Sequence, residues 1–134
     1  TRWSYTPVDD SWHCVDDSTS AAYGTIVDAD AVAVAKDWTS SEKMKRRDEL
    51  YTWVIDVAHN PAHTAQAGSC IFLHVWRAKN SPTVGCTAMP QPKLEQVLTW
   101  LEPAAHPVYV LLPRQAYAEL AGAWGLPARR RHLQ

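Results

Sequence analysis

His74 ends an apolar run, a loop follows, and Gly85 and Cys86 come next, in the stretch HVWRAKNSPTVGC (74–86). A histidine beside a cysteine is the minimum needed for a thiolate nucleophile near neutral pH. A free thiol with a pKa of about 8.5 is mostly protonated there, and an imidazole can take the proton and later return it. Gly85 allows a tight backbone turn that presents the next side chain. Spacing alone leaves the bland reading equally open, with His74 a core residue and Cys86 a buried thiol. The loop 75–85 is long enough to fold back, so contact between the two is allowed but not forced.

The elements that must carry this pair are readable from Leu50 onward. LYTWVIDV (50–57) is apolar and β-branched and predicts a buried strand; NPAHTAQAG (60–68) carries turn residues; SCIFLHVW (69–76) predicts a second strand paired with the first. Alternation puts Ile71, Leu73 and Val75 on one face, expected to be core. Cys70, Phe72, His74 and Trp76 then lie on the other, where a cleft could open at the strand's exit. Pro90 and Pro92 mark a helix start, with Leu94, Val97, Leu98 and Leu101 on one helical face and Pro103 ending it. PVYVLLP (107–113) predicts a strand bounded by prolines. RQAYAELAGAW (114–124) predicts a second helix, stopped by Gly125 and Pro127. Residues 1–50 are expected to be loop-rich: AYGTIVDADAVAVA (22–35) fits a strand or a short helix, and DWTSSEKMKRRDEL (37–50) a loop or exposed helical turn. The expected fold class is therefore a β-rich mixed α+β domain with helices flanking its later strands. It comprises one domain over 1–134, with a loop-rich portion 1–50, a catalytic core 51–127 and a tail 128–134.

Composition narrows the classes. At 134 residues and 46% hydrophobic, the chain is one domain by size and not disordered. A net charge of -1 argues against nucleic acid as a partner, and the basic ARRRHLQ at the end reads as a solvated tail. No apolar stretch approaches the roughly 20 residues of a membrane span. No stretch reads as a secretory leader, which a processed chain would also lack. Histidines and cysteines show no zinc spacing, so neither a metal nor another cofactor is expected.

GSCIFLHVW followed by SPTVGCTAM resembles the catalytic core of the L,D-transpeptidases, the YkuD-type fold. Their motif is a histidine, a loop, then Ser/Thr-x-Gly-Cys; here it falls on His74 and on Thr83, Val84, Gly85 and Cys86. WHCVDD upstream, DELYTWVIDVAHN before the motif, and LEQVLTWL with PVYVLLP after it are similar to one bacterial branch, so the resemblance covers most of the chain. Three departures stand out. Val84 replaces a histidine and Thr87 an arginine that many members carry. The strands and Thr-Pro-x-Gly segment that usually open the domain are not seen, so the β-sandwich would lack its N-terminal strands, supplied by a missing fragment if at all.

The resemblance implies a cysteine acyltransferase of the periplasm or cell envelope that acts on peptidoglycan stem peptides. Cys86 would be the nucleophile and His74 the base, within hydrogen-bond reach of it. Backbone N–H groups from Gly85 to Thr87, with Thr83 in support, would hold the oxyanion. Attack on the thioester by a neighbouring stem's amine makes a cross-link, by a free D-amino acid an exchange, and by water an L,D-carboxypeptidase, which could also serve a secreted wall-targeting toxin. A non-catalytic wall-binding module on the same fold is the alternative from another class. A papain-like or NlpC/P60-type peptidase is disfavoured, because those place the cysteine first, at a helix N-terminus. His59 could line the site, though a turn histidine bonded to backbone is the simpler reading. Trp76 could wall the cleft or pack under the following loop. Asp16 and Asp17 could meet the stem's ammonium group or simply cap a turn. His13, His63, His106 and His132 have no assigned role. In an exported protein Cys14, in a loop-like stretch, could pair with Cys70 and leave Cys86 as the sole thiol; a buried Cys70 thiol and an unpaired Cys14 remain equally open.

Overall fold

The computed structural model describes residues 3–31 and 36–128. They form a small mixed α+β domain of two three-stranded sheets and two α-helices. The first sheet contains β1 (Trp12–Val15), β2 (Ile26–Asp28) and β3 (Ser41–Lys43), with β1 central and antiparallel to both neighbours. The second contains β4 (Val54–Asp56), β5 (Phe72–Val75) and β6 (Thr87–Met89) in the order β4-β5-β6. There β4 runs antiparallel to β5, and β6 parallel to it.

The two strands predicted from Leu50 onward are present and paired, each shorter than its apolar run. Val54 stands opposite His74 and Asp56 opposite Phe72. The first fifty residues differ from expectation. WHCV and part of the charged DWTSSEKMKRRDEL stretch are strands, not loops, and the strand option holds for Ile26–Asp28. These strands are three or four residues long and mix His13, Asp28, Glu42 and Lys43 with apolar residues, so no alternation is visible in the sequence. Residues 32–35, within AYGTIVDADAVAVA, and all but Ala128 of the 128–134 tail lie outside the described residues.

β6 leads directly into helix α1 (Gln91–Trp100), with Pro90 at its cap and a proline in its first turn. Proline is tolerated there because the first N–H groups have no partner within the helix. Leu94 is its one fully buried residue, and the helix packs on β5. Leu94→Ala is expected to cost about 2–5 kcal/mol, read as a lower denaturation midpoint with an unchanged denaturant slope. Helix α2 (Arg114–Leu120) follows Pro113. Its turns run on to Gly125 at φ 62°, where Leu126 N–H reaches the Ala121 carbonyl at 2.9 Å. That closure requires a left-handed residue, which glycine supplies without a Cβ clash.

PVYVLLP is not a strand. Its composition suits one, but Pro107 and Pro113 each remove a ladder donor and the segment joins neither sheet, leaving Val108 and Leu111 exposed. Its Tyr109 hydroxyl hydrogen-bonds the Thr87 hydroxyl.

The sheets meet at Cys14 and Met44 from the first half and Phe72 from β5, all at most 3% exposed. A disulfide joins Cys14 to Cys70 across the same seam, with Cα atoms 5.9 Å apart. Both faces of β5 are thus covered. The face of Phe72 and His74, expected to open into a cleft, is the main core: Phe72 is 0% exposed and His74 7%. Of the aliphatic face, Leu73 is buried while Ile71 and Val75 are half-buried.

Candidate active site

Register brings His74 and Cys86 to one face of the second sheet. In the parallel β5–β6 ladder Leu73 faces Thr87 and His74 faces Ala88. Cys86, one residue before β6, therefore stands beside Phe72. Alternation then places Phe72, His74, Cys86 and Ala88 on the same side. Two residues of offset along the strand and one strand spacing across it separate the Cα atoms of His74 and Cys86 by roughly 8 Å, a gap that two side chains can close.

The expected His74–Cys86 hydrogen bond is not made in this resting arrangement. The Cys86 sulfur accepts from Phe72 N–H at 3.4 Å and donates to the Cys70 carbonyl at 3.6 Å. The cause is the register: the residue directly across from His74 is Ala88, and the sulfur sits against the start of β5 instead. His74 Nδ1 lies 2.7 Å from the Val75 carbonyl. A carbonyl only accepts, so Nδ1 carries a proton, and in the neutral ring Nε2 then keeps the lone pair, the tautomer a general base needs. Catalytic hydrogen bonds often close only when substrate is bound.

Burial pushes the Cys86 thiol pKa up; the Phe72 N–H opposes this, and the Glu42 carboxylate adds to the rise. The protonated thiol is therefore favoured over the thiolate more than in a free cysteine. Cys86 is the free cysteine, and Cys14 and Cys70 are bonded to each other.

The loop ahead of the sulfur is shaped by short-range bonds. Thr83 donates its hydroxyl to the Cys86 carbonyl, closing the turn. Gly85 has φ 155°, and a Cβ there would meet Ile71 Cδ1 at 3.2 Å, so a side chain would require Ile71 to give way. Thr87 lies on the opposite face of β6 from the sulfur, and its hydroxyl holds Tyr109. Its side chain is therefore engaged with Tyr109 rather than turned toward the sulfur.

The comparisons with known proteins come out empty. No family model, curated protein or solved structure matches the chain. The site therefore rests on its own geometry.

The other sequence candidates are placed as follows. The exposed His59 ring sits against Gly68, where a Cβ would come within 2.9 Å of its Nε2. Trp76 is half-buried beyond the far end of β5, with its backbone N–H on the Met89 carbonyl at 2.9 Å. Asp17 is a turn cap: its carboxylate accepts from the N–H and hydroxyl groups of Thr39 and Thr19, which hold its pKa well below the usual range. Asp16 is exposed. Among the described residues no cluster of histidine, cysteine and carboxylate groups could hold a metal ion, and no helix is long and apolar enough to cross a membrane.

Sequence reasoning missed Tyr51. Its ring lies 5.2 Å from the His74 ring and 5.9 Å from Phe72, and its hydroxyl donates to Glu42. Arg46 lies over the same ring at 5.1 Å and is held by Asp48, which also binds Arg77 at 3.0 Å. No spacing rule connects Tyr51 to His74, because the turn ahead of β4 brings them together. The available signal was a tyrosine closing an otherwise charged segment.

Proposed function

We propose that the chain is a cysteine acyltransferase acting on peptidoglycan stem peptides, an L,D-transpeptidase built on a YkuD-like β-sandwich. The observation that carries this reading is the free Cys86 thiol on one sheet face with a buried His74 whose proton sits on Nδ1. The Ser/Thr-x-Gly-Cys resemblance supplies the substrate class.

In this mechanism the Cys86 proton passes to His74 Nε2 as the sulfur attacks the amide carbonyl between the stem's third residue and its terminal D-alanine. Backbone N–H groups of the Gly85–Thr87 turn hold the oxyanion. Collapse breaks the C–N bond, and the leaving amine takes the proton back from His74, leaving a thioester. An acceptor amine from a neighbouring stem then attacks, its proton moves to His74, and the sulfur leaves as the thiol. Water as acceptor makes the same site a carboxypeptidase, and a free D-amino acid makes it an exchange enzyme. The Cys14–Cys70 disulfide favours an oxidising compartment, which supports export to the periplasm or cell envelope.

The test is intact-mass measurement after incubation with a carbapenem. The wild-type protein should gain one adduct, and Cys86→Ala none. An adduct that survives the substitution, or no adduct on the wild type, overturns the proposal, and the second result fits a non-catalytic wall-binding module.

A further inference from the structure

We infer that Tyr51 is a positioning residue for the His74–Cys86 pair, its ring packed against the His74 imidazole and its hydroxyl tied to Glu42. This rests on the reading of His74 as the base for Cys86, but not on the identity of the substrate.

A histidine fixed through one nitrogen can still swing about its Cβ–Cγ bond. The Nδ1–H bond to the Val75 carbonyl holds one edge of the ring. The Tyr51 ring, inclined 65° to it, meets the imidazole in an edge-to-face contact. Tyr51 is in turn held on three sides. Phe72 packs on it at an interplanar angle of 82°, Glu42 accepts its hydroxyl proton, and the Arg46 guanidinium covers its ring. Arg46 is itself bonded by Asp48 through two bonds of 2.8 and 2.6 Å. This leaves Nε2, the nitrogen not bonded to Val75, as the one that can accept a proton.

The charged groups around the ring pair are Glu42 and Arg46, with Asp48 and Arg77 beyond Arg46. Tyr51 and Cys86 both pack against the cluster of Cys14, Met44 and Phe72. Burial, with the Glu42 bond behind it, pushes the phenol's pKa far above its usual range. Tyr51 therefore remains neutral and adds no charge beside a forming thiolate.

The test compares the rate at which iodoacetamide alkylates Cys86 in the full, disulfide-intact chain at about pH 6.5 and about pH 9.5. A histidine-paired thiol reacts at the lower pH, whereas an unpaired one needs the higher. Loosening the site scales both rates together, while losing the orientation of His74 lowers only the first. Tyr51→Leu should reduce the low-to-high ratio about tenfold or more, toward that of His74→Ala. Tyr51→Phe, which keeps the ring, should restore it to within about threefold. If Tyr51→Leu does not fold, Tyr51→Met is read in the same way. An unchanged ratio in the leucine variant overturns the inference, as does a phenylalanine variant that falls equally far. So does a wild-type ratio equal to that of His74→Ala, since no pairing would then exist to position. A His74-dependent ratio that collapses in Tyr51→Leu, in a protein that forms no carbapenem adduct, would sustain the role of Tyr51 while removing the transpeptidase reading.

Discussion

His74→Ala is expected to slow carbapenem acylation of Cys86 by roughly 10²–10⁴-fold near neutral pH, the usual size of a general-base contribution. The reason is the state of the thiol. Burial raises the Cys86 pKa, so without a base the thiolate fraction at neutral pH is smaller than that of a free cysteine. The sign gives a second readout: acylation of the variant should climb about tenfold per pH unit into the alkaline range, as the thiol ionises unaided. The wild type should be flatter over the same range. Because His74 is 7% exposed and packed against Tyr51, truncation also leaves a void that could disturb the site. Recovery of the rate at high pH separates the two effects, since a collapsed site would stay slow. A rate change under about threefold at neutral pH would make His74 a structural residue, held for its bond to the Val75 carbonyl.

The parts of this arrangement that were legible in the sequence are those written in local patterns. The apolar runs of β4 and β5, the glycine before Cys86 and the prolines at the start of α1 each act within a few residues, and each marks a feature present in the structure. The first sheet was not legible. A period of two needs several turns of the pattern to show, and β1, β2 and β3 are three or four residues long with polar residues interspersed. PVYVLLP shows the converse: strand-like residues do not make a strand when no edge pairs with them and prolines remove donors. The site has the same split. That His74 and Cys86 could meet was visible, but the parallel register that offsets them was not. Nor was Tyr51, whose contacts with His74, Phe72 and Glu42 arise only when the turn at 48–53 folds over the sheet.

Opening the Cys14–Cys70 bridge should lower stability by about 4 kcal/mol, within a general range of roughly 2–5 kcal/mol. The two cysteines are 56 residues apart, so the bridge closes a long loop of the unfolded chain, and the entropy it removes grows with that length. It also joins strand β1 of one sheet to the entrance of β5 in the other, beside the Cys14–Met44–Phe72 contact. Denaturant unfolding of the oxidised protein, the reduced protein and the Cys14→Ala/Cys70→Ala variant reads the effect. The reduced form is the cleaner comparison, because it leaves the buried Cys14 side chain in place. Titrating the unfolded, unreduced protein with a thiol reagent should find one thiol, that of Cys86, and three would show that the bridge is absent. The same cleavage should reach the site, because the Cys70 carbonyl accepts the Cys86 thiol proton and the Phe72 N–H donates to its sulfur. With Cys70 released from its φ of 55°, both partners can move, and Cys86 should alkylate faster on reduction. Coincident unfolding midpoints for the oxidised and reduced forms would instead place the tie between the sheets in the packing of Met44 and Phe72 alone.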